Sequence, residues 1–406
     1  MATVELVDYA ACEQALKETT LRQALYDEAE IVLDRVLVTL HGETHRQRRL
    51  AVMKVFRRDF FKHYEQDVIP GIVDDVLGAF PQGASADIAD LGYRCLVDLA
   101  MRFAGLDRRD DNTLSRVEET RKLVELLRLF GVSATLGQSI DRDRDAARRE
   151  IRAAVELFDQ SWFGPSLSRR EALIASVLSG ERGERAEDTL PMDVLTVLMR
   201  NRDTLELDRA ALLRETAFFF LAGAHTSVHS LGHIVHHLLE WCEAHAGARA
   251  QLEADPSLLQ RFVQESLRLH PSSPVAMRIA LEQTAFADGQ DAAPGDRVII
   301  NLRAANRSCE RFGADAAEFN PFRVLPAGVD GTGLTFGRGM HACLGRNLAA
   351  GAPTAGTESG LQRGMLTVLA HRLLCRGVAA DANRQARLDK TITRETWATY
   401  PVVFSR

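Results

Sequence analysis

No stretch of the chain approaches the roughly 20 consecutive apolar residues needed to span a bilayer. At the start, Glu5, Asp8 and Glu13 interrupt any apolar run of the kind a signal peptide requires. Basic residues are not in excess either. The formal net charge of -6 argues against general nucleic-acid binding, which needs a cationic surface. Cysteines are sparse and scattered (Cys12, Cys95, Cys242, Cys309, Cys343, Cys375), with no CxxC pair among them. That excludes a disulfide framework and a zinc-ribbon spacing, and makes a reducing cytoplasm the expected compartment. No internal repeat and no Ser/Gly linker divides the 406 residues. A chain of this length can bury a large core and a sizeable ligand within it.

Apolar residues recur at three-to-four spacing over 67–80, 87–103 and 147–162, with charged faces between, which predicts amphipathic helices. The longest candidate spans 208–241, with Asp208 as N-cap, and would run about 50 Å at 1.5 Å per residue. Strand signals are few: 275–281, 297–302 after the Pro294-Gly295-Asp296 turn, and the tail at 400–404. The expected fold is mainly α with small β-sheets, as a single domain over 1–406. The run 349–360, with Pro353 between Gly351 and Gly356, reads as a loop interrupting a helix.

One segment concentrates the chemistry: Phe336-Gly337-Arg338-Gly339-Met340-His341-Ala342-Cys343-Leu344-Gly345. A thiolate that binds iron needs backbone N–H groups near the sulfur, and glycines where the chain turns back on itself. A helix starting just after Cys343 would add its N-terminal dipole to the stabilisation of the thiolate. A buried structural cysteine is the ordinary reading of a lone Cys. The full pattern Phe336, Gly337, Gly339, His341, Cys343, Gly345 resembles the haem-binding loop of the cytochrome P-450 family. The resemblance implies the fold of that family, with haem b (iron protoporphyrin IX) between the 208–241 helix and the loop, and Cys343 as the iron ligand. Phe336, Gly339 and Gly345 would shape the loop against the porphyrin.

Other motifs follow in family order. Glu265 and Arg268 stand three apart on one helical face; with Arg323 they resemble the structural network of the family. His45 and Arg49, four apart, point the same way on a helix and suit a carboxylate. By resemblance they contact haem propionates, as would Arg278 and His341. Arg46, Arg48 and Arg57 read as a solvated basic face. Within the long helix, Ala222-Gly223-Ala224-His225-Thr226-Ser227 resembles the oxygen-binding stretch. There Ala222 and Gly223 would leave room for dioxygen and Thr226 would assist proton delivery. The usual acid before that threonine is replaced by His225, which can still carry protons near neutral pH.

His225, His229, His233 and His237 recur every four residues, which makes a metal site a rival reading, but no Glu lies among them to complete a helical di-iron motif. The resemblance begins near His45; the segment before it is shorter than the family's. It implies a monooxygenase acting on a small apolar substrate, supplied by a separate ferredoxin and ferredoxin reductase. Val275, Ala276 and Trp397 are the expected pocket residues beside Ala222. A peroxide-driven or rearranging haem-thiolate enzyme, and a haem-binding sensor without turnover, are the alternatives.

Overall fold

The computed structural model describes residues 2–109, 115–140, 142–179, 190–326, 328–352 and 362–406. They form two compact units. One comprises Met1–Leu25, Arg58–Cys95 and Thr226–Arg406; the other comprises Tyr26–Arg57 and Leu96–His225. All described strands belong to the first, and the second is built of helices. Among the described residues, no helix is long and apolar enough to cross a membrane.

The expected helices are present with small shifts. The 67–80 pattern forms Ile69–Gly78, entered through a π turn at Tyr64–Val68. The 87–103 pattern forms Ile88–Ala104. The 147–162 pattern forms Arg144–Phe158, started by Asp143, whose carboxylate accepts from the N–H groups of Asp145 and Ala146. The long helix is Arg209–Ala244, 36 residues and so about 54 Å. Asp208 caps it, with Oδ1 accepting from Ala211 N at 2.7 Å. A glycine inside a helix costs roughly 1 kcal/mol relative to alanine. At Gly232 the cost has a reason: a Cβ there would stand 2.9 Å from the Trp397 ring.

The main sheet has the order Thr3–Leu6, Arg297–Asn301, Val275–Ala280, Leu21–Gln23; the first pair is parallel and the others antiparallel. Its inner face packs on the helix Tyr9–Lys17 through Leu6, Ala15, Leu21, Ala280, Val298 and Ile300. The Gly295 turn joins the sheet as expected, with φ +89 and its N–H on Ala280 O at 2.7 Å. The tail strand Pro401–Phe404 lies between Ser85–Asp87 and Val378–Ala380 in a three-stranded sheet. A two-stranded hairpin, Arg387–Leu388 with Trp397–Thr399, carries a bulge.

The basic face expected around His45 divides. Arg46 is exposed and bonded to Glu43 on its own helix, and Arg57 is exposed. Arg48 is not solvated: its side chain is 6% exposed and paired with the fully buried carboxylate of Glu215. Burial pushes the Glu215 carboxyl up to about 7, against the pull of Arg48. A cation at this depth needs such a partner. The partner lies 167 residues away, beyond the reach of local pattern.

Candidate active site

The helix Pro256–Leu269 begins with Asp255 as cap and Pro256 in its first turn, and buries Leu259, Phe262, Val263, Ser266 and Leu267. Glu265 and Arg268 fall on that buried side. Arg268 donates from Nε and Nη2 to the two Glu265 oxygens, each at 2.7 Å, a bidentate pair. Nη1 donates to the carbonyls of Asn306 and Ala316. Arg323 completes the set, with Nη2 3.2 Å from Glu265 Oε1 and further bonds to Asp315 and to Phe312 O. The three residues predicted to form a network therefore meet.

Asn306 carries the order onward. Its side-chain Nδ2 donates to Arg268 O and Thr335 Oγ1, and its Oδ1 accepts from Leu334 N at 2.7 Å. Leu334 and Thr335 lead straight into the cysteine segment. Asp330 was not anticipated. It accepts from Arg338 before Cys343 (3.3 Å) and from Arg346 after it (2.6 Å), so one carboxylate holds both limbs of the loop. An aspartate among Gly328, Gly331 and Gly333 looks like turn chemistry in sequence, which is why its second role is invisible there.

Within the loop, Cys343 N donates to Phe336 O at 2.8 Å, closing the turn that the glycines permit. Gly337 and Gly339 have φ of +66 and +67. At Gly339 there is also no room: a Cβ would stand 2.6 Å from Leu16 O and 2.8 Å from Lys17 Cα. At Gly345 a Cβ would come 3.9 Å from Cys343 Sγ, an ordinary contact. The helix Arg346–Ala350 follows directly. Cys343 is exposed, whereas Cys12 and Cys95 are buried thiols whose burial pushes their pKa up to about 12. The structural reading of a cysteine fits those two, while Cys309 and Cys375 are exposed like Cys343.

That helix is cut short, as the sequence suggested. It ends at Gly351, and Met365–Cys375 is the next helix. The ends of the interruption are close, since a Cβ on Gly364 would lie 2.3 Å from Gly351 N. Buried Glu65 accepts from the N–H groups of Arg363 and Gly364, both at 2.8 Å, and Gln260 donates to Ala350 O. The rest of the expected loop, 353–360, lies outside the described residues.

In the same unit, Arg278 sits on the strand Val275–Ala280 with Nη1 on Gln23 Oε1 at 2.6 Å, and His341 lies in the turn Gly339–His341 beside Cys343. Thr226 belongs to this unit as well. In the helical unit, His45 is buried and Arg49 half-buried on the helix Gly42–Val52. Burial, with Arg49 and His41 nearby, pushes His45 down to about 4, so its imidazole is neutral at pH 7. Also in that unit, a Cβ on Gly223 would lie 3.6 Å from Ala100 Cβ, and Ala222 is half-buried. The His225 ring fills the notch left by Gly131 of the helix Arg116–Ala134, where a Cβ would come 2.3 Å from it.

The pocket expectations divide too. Val275 is half-buried, but Ala276 belongs to the core beneath the sheet, because alternation along the strand turns it inward. Trp397 packs on Gly232, His236 and Tyr400.

The helical histidines do not form a metal site: among the described residues no group of three His, Cys, Asp or Glu could hold an ion. They are packed aromatic groups instead. His233 stacks on His270 at 4.1 Å and bonds Glu395 O at 2.9 Å; His237 bonds Ser266 Oγ at 3.0 Å and stacks on Phe319. Burial lowers the pKa of all four, His229 to about 4 and His237 to about 3, with His233 and His270 also depressed.

Two predictions follow from this geometry. Gly339→Ala should destabilise the protein by about 1–3 kcal/mol. Gly289→Ala has a similar φ of +84 with nothing within 4 Å, and should cost only about 1 kcal/mol of backbone strain. Denaturant unfolding of both variants checks the difference. The second concerns pH. A histidine whose folded pKa lies below the unfolded value of about 6.5 contributes stability that is full above that pH and is lost on acidification. Between pH 6.5 and 5, each of these buried histidines should remove up to about 1.4 kcal/mol per pH unit. Melting temperature should fall over that window, and less steeply in His237→Gln.

The family model for cytochrome P-450 matches residues 1–352, a span that includes Cys343 and stops where the interruption begins. Cyclooctat-9-en-7-ol 5-monooxygenase of Streptomyces melanosporofaciens is 25% identical over 368 residues, covering 84% of this chain and 76% of that protein. Cytochrome P-450 monooxygenase PikC of Streptomyces venezuelae is 26% identical over 326 residues, covering 79% and 67%. Among solved structures, CYP109E1 from Bacillus megaterium in complex with corticosterone superposes with a TM-score of 0.72 at 16% identity, over 99% of this chain and 92% of that one. Within the first unit the donor set fits the family's cofactor: a cysteine sulfur on a braced loop, with Arg278 and His341 as donors of the kind that hold carboxylates. The chain belongs to the cytochrome P-450 family, whose members bind haem b, and is a haem-dependent monooxygenase.

Proposed function

We propose that Cys343 is the iron ligand and that the chain oxygenates an apolar small molecule, with electrons from a separate ferredoxin and ferredoxin reductase. The observation that carries the reading is the cysteine loop: an exposed thiol, in a turn closed by Cys343 N on Phe336 O, braced on both limbs by Asp330. When bound, haem supplies the cleavage of dioxygen that puts one oxygen atom into the substrate and the other into water, and a thiolate ligand favours that cleavage.

The chain's own residues would do the rest. Phe336, Gly339 and Gly345 would shape the loop that holds the cofactor, Gly339 by its close approach to Leu16 and Lys17. His45, Arg49, Arg278 and His341 would donate to the two propionates. A neutral His45 donates through one ring nitrogen, so the guanidinium groups would carry the charge compensation. Ala222 and Gly223 leave space on the long helix, and Thr226 Oγ1 holds and passes protons beside that space. His225 lies against Gly131, so its part would be to feed Thr226 from the side of the helix Arg116–Ala134. Separate electron carriers are proposed because members of the family take electrons from redox partners. Scattered cysteines without CxxC pairs support action in the cytoplasm.

The test is turnover of substrate by wild type and Thr226→Ala, driven by a ferredoxin system or by hydrogen peroxide. Wild type should form product with reduced ferredoxin. Thr226→Ala should still consume NAD(P)H while product falls about 100-fold and hydrogen peroxide is released, since general acid–base groups contribute about 10²–10⁴. Product with peroxide and none with ferredoxin would replace this reading by the peroxide-driven one.

A further inference from the structure

We propose that Asp330 is a positioning residue for electron uptake: by fixing the guanidinium groups of Arg338 and Arg346 on the two limbs of the cysteine loop, it sets the potential at which a bound haem is reduced. This rests on the reading of Cys343 as the iron ligand and adds to it a residue that governs the electron-transfer step. The carboxylate divides its oxygens between two tasks. Oδ1 builds the turn, accepting from Thr332 N at 2.9 Å and from Thr332 Oγ1 at 2.8 Å. Oδ2 takes the cations, with Arg346 Nη2 at 2.6 Å and Arg338 Nη2 at 3.3 Å. An asparagine can perform the first task, since one carbonyl oxygen suffices. It cannot perform the second, because its NH2 group only donates and a guanidinium has no acceptor. The turn alone does not require an aspartate; the two guanidinium groups do.

Both cations stand near the sulfur, within one unit of the chain. A Cβ on Gly345 would lie 3.9 Å from Cys343 Sγ, so the residue just before Arg346 packs on the thiol. One further step of about 3.8 Å along the chain places the Arg346 Cα within about 10 Å of that sulfur. On the other limb, Arg338 folds back on its own segment, donating to Gly337 O at 3.0 Å and Gly333 O at 2.9 Å. Phe336, two residues earlier, gives its carbonyl to Cys343 N at 2.8 Å. Glu13 of the helix Tyr9–Lys17 lies 3.8 Å from Arg338 Nε and is shared with exposed Lys17. Among the described residues, Asp330 is the one carboxylate paired with Arg346.

Charge decides the direction of the effect. Reduction adds one electron at the iron, taken from a carrier that loses one, so a neighbouring anion opposes it and a neighbouring cation favours it. The side chains of Asp330, Arg338 and Arg346 are 14%, 22% and 30% exposed, so water and salt screen them less than they screen surface pairs. Asp330 offsets one of the two positive charges and holds both at fixed distances. Removing its charge leaves two cations on the loop with Glu13 alone against them, which raises the potential. Removing the charge of Arg346 leaves the Asp330 carboxylate with Arg338 alone, which lowers it. A brace with no electrical role gives no such opposition, because loss of either end of one ion pair loosens the same loop.

Potentiometric titration of the haem-loaded protein, with dithionite and mediator dyes and no substrate, tests the idea without turnover. Asp330→Asn should be reduced more readily than wild type, by about 3-fold or more in the one-electron equilibrium constant, or about 28 mV at about 59 mV per tenfold. Arg346→Gln should shift by a similar amount in the opposite direction. Arg346→Lys keeps the charge but not the planar fork, and should move the potential by less than half as much as Arg346→Gln. If Asp330→Asn takes up no haem, the two Arg346 variants decide. The proposal is overturned if Asp330→Asn leaves the potential unchanged, if it shifts in the same direction as Arg346→Gln, or if Arg346→Lys moves it as far as Arg346→Gln. A wild type that holds no haem, or whose carbon monoxide spectrum is unchanged by Cys343→Ala, would instead contradict the reading of Cys343.

Discussion

Arg268 holds a full positive charge with none of its side chain exposed, and this constraint organises the segment that ends in Cys343. A buried guanidinium is costly unless nearly every donor is matched. Glu265 meets two donors from three residues away on the same helix, and the others require carbonyls that only a returning chain can bring. The carbonyls of Asn306 and Ala316 do so, and Arg323 draws the following segment onto the same carboxylate. Through Asn306 the order passes to Leu334 and Thr335, and through Asp330 to both limbs of the loop. Removing Arg268 would leave Glu265 with Arg323 as its remaining cation and would take the guanidinium donor from the buried Asn306 and Ala316 carbonyls, so the segment leading to the cysteine would lose part of its support.

The features legible in sequence are those encoded by neighbours in the chain. Asp208 before a long apolar-periodic run is a local signal, and it caps the helix as expected. Glu265 and Arg268 share a helical face because they are three apart. The glycines around Cys343 mark a tight turn wherever they occur, and two have the left-handed backbone that the turn needs. What escaped depends on distant partners. Arg48 looks like its solvated neighbour Arg46 until Glu215 is brought to it. Ala276 and Val275 are adjacent, and only strand register decides which one faces the core. Asp330 resembles a turn former, and its clamp on Arg338 and Arg346 needs the folded loop.

The histidines illustrate the same limit. Spacing put His229, His233 and His237 on one face, which is also what a metal site would require. The fold resolved the ambiguity by supplying aromatic and backbone partners rather than further ligands: His270, Phe319, Ser266 and the Glu395 carbonyl. Imidazoles so buried stay neutral and pack as aromatic rings. The chemistry proposed for this chain therefore draws on Cys343 and Thr226 and not on these imidazoles.

The central claim is that Cys343 is the haem ligand, and the absorption spectrum of the dithionite-reduced protein under carbon monoxide addresses it most directly. Wild type should give the red-shifted Soret band of a thiolate-ligated haem, and Cys343→Ala should lose that band while remaining folded by circular dichroism. A folded wild type that takes up no haem, or a spectrum unchanged by Cys343→Ala, would contradict the account.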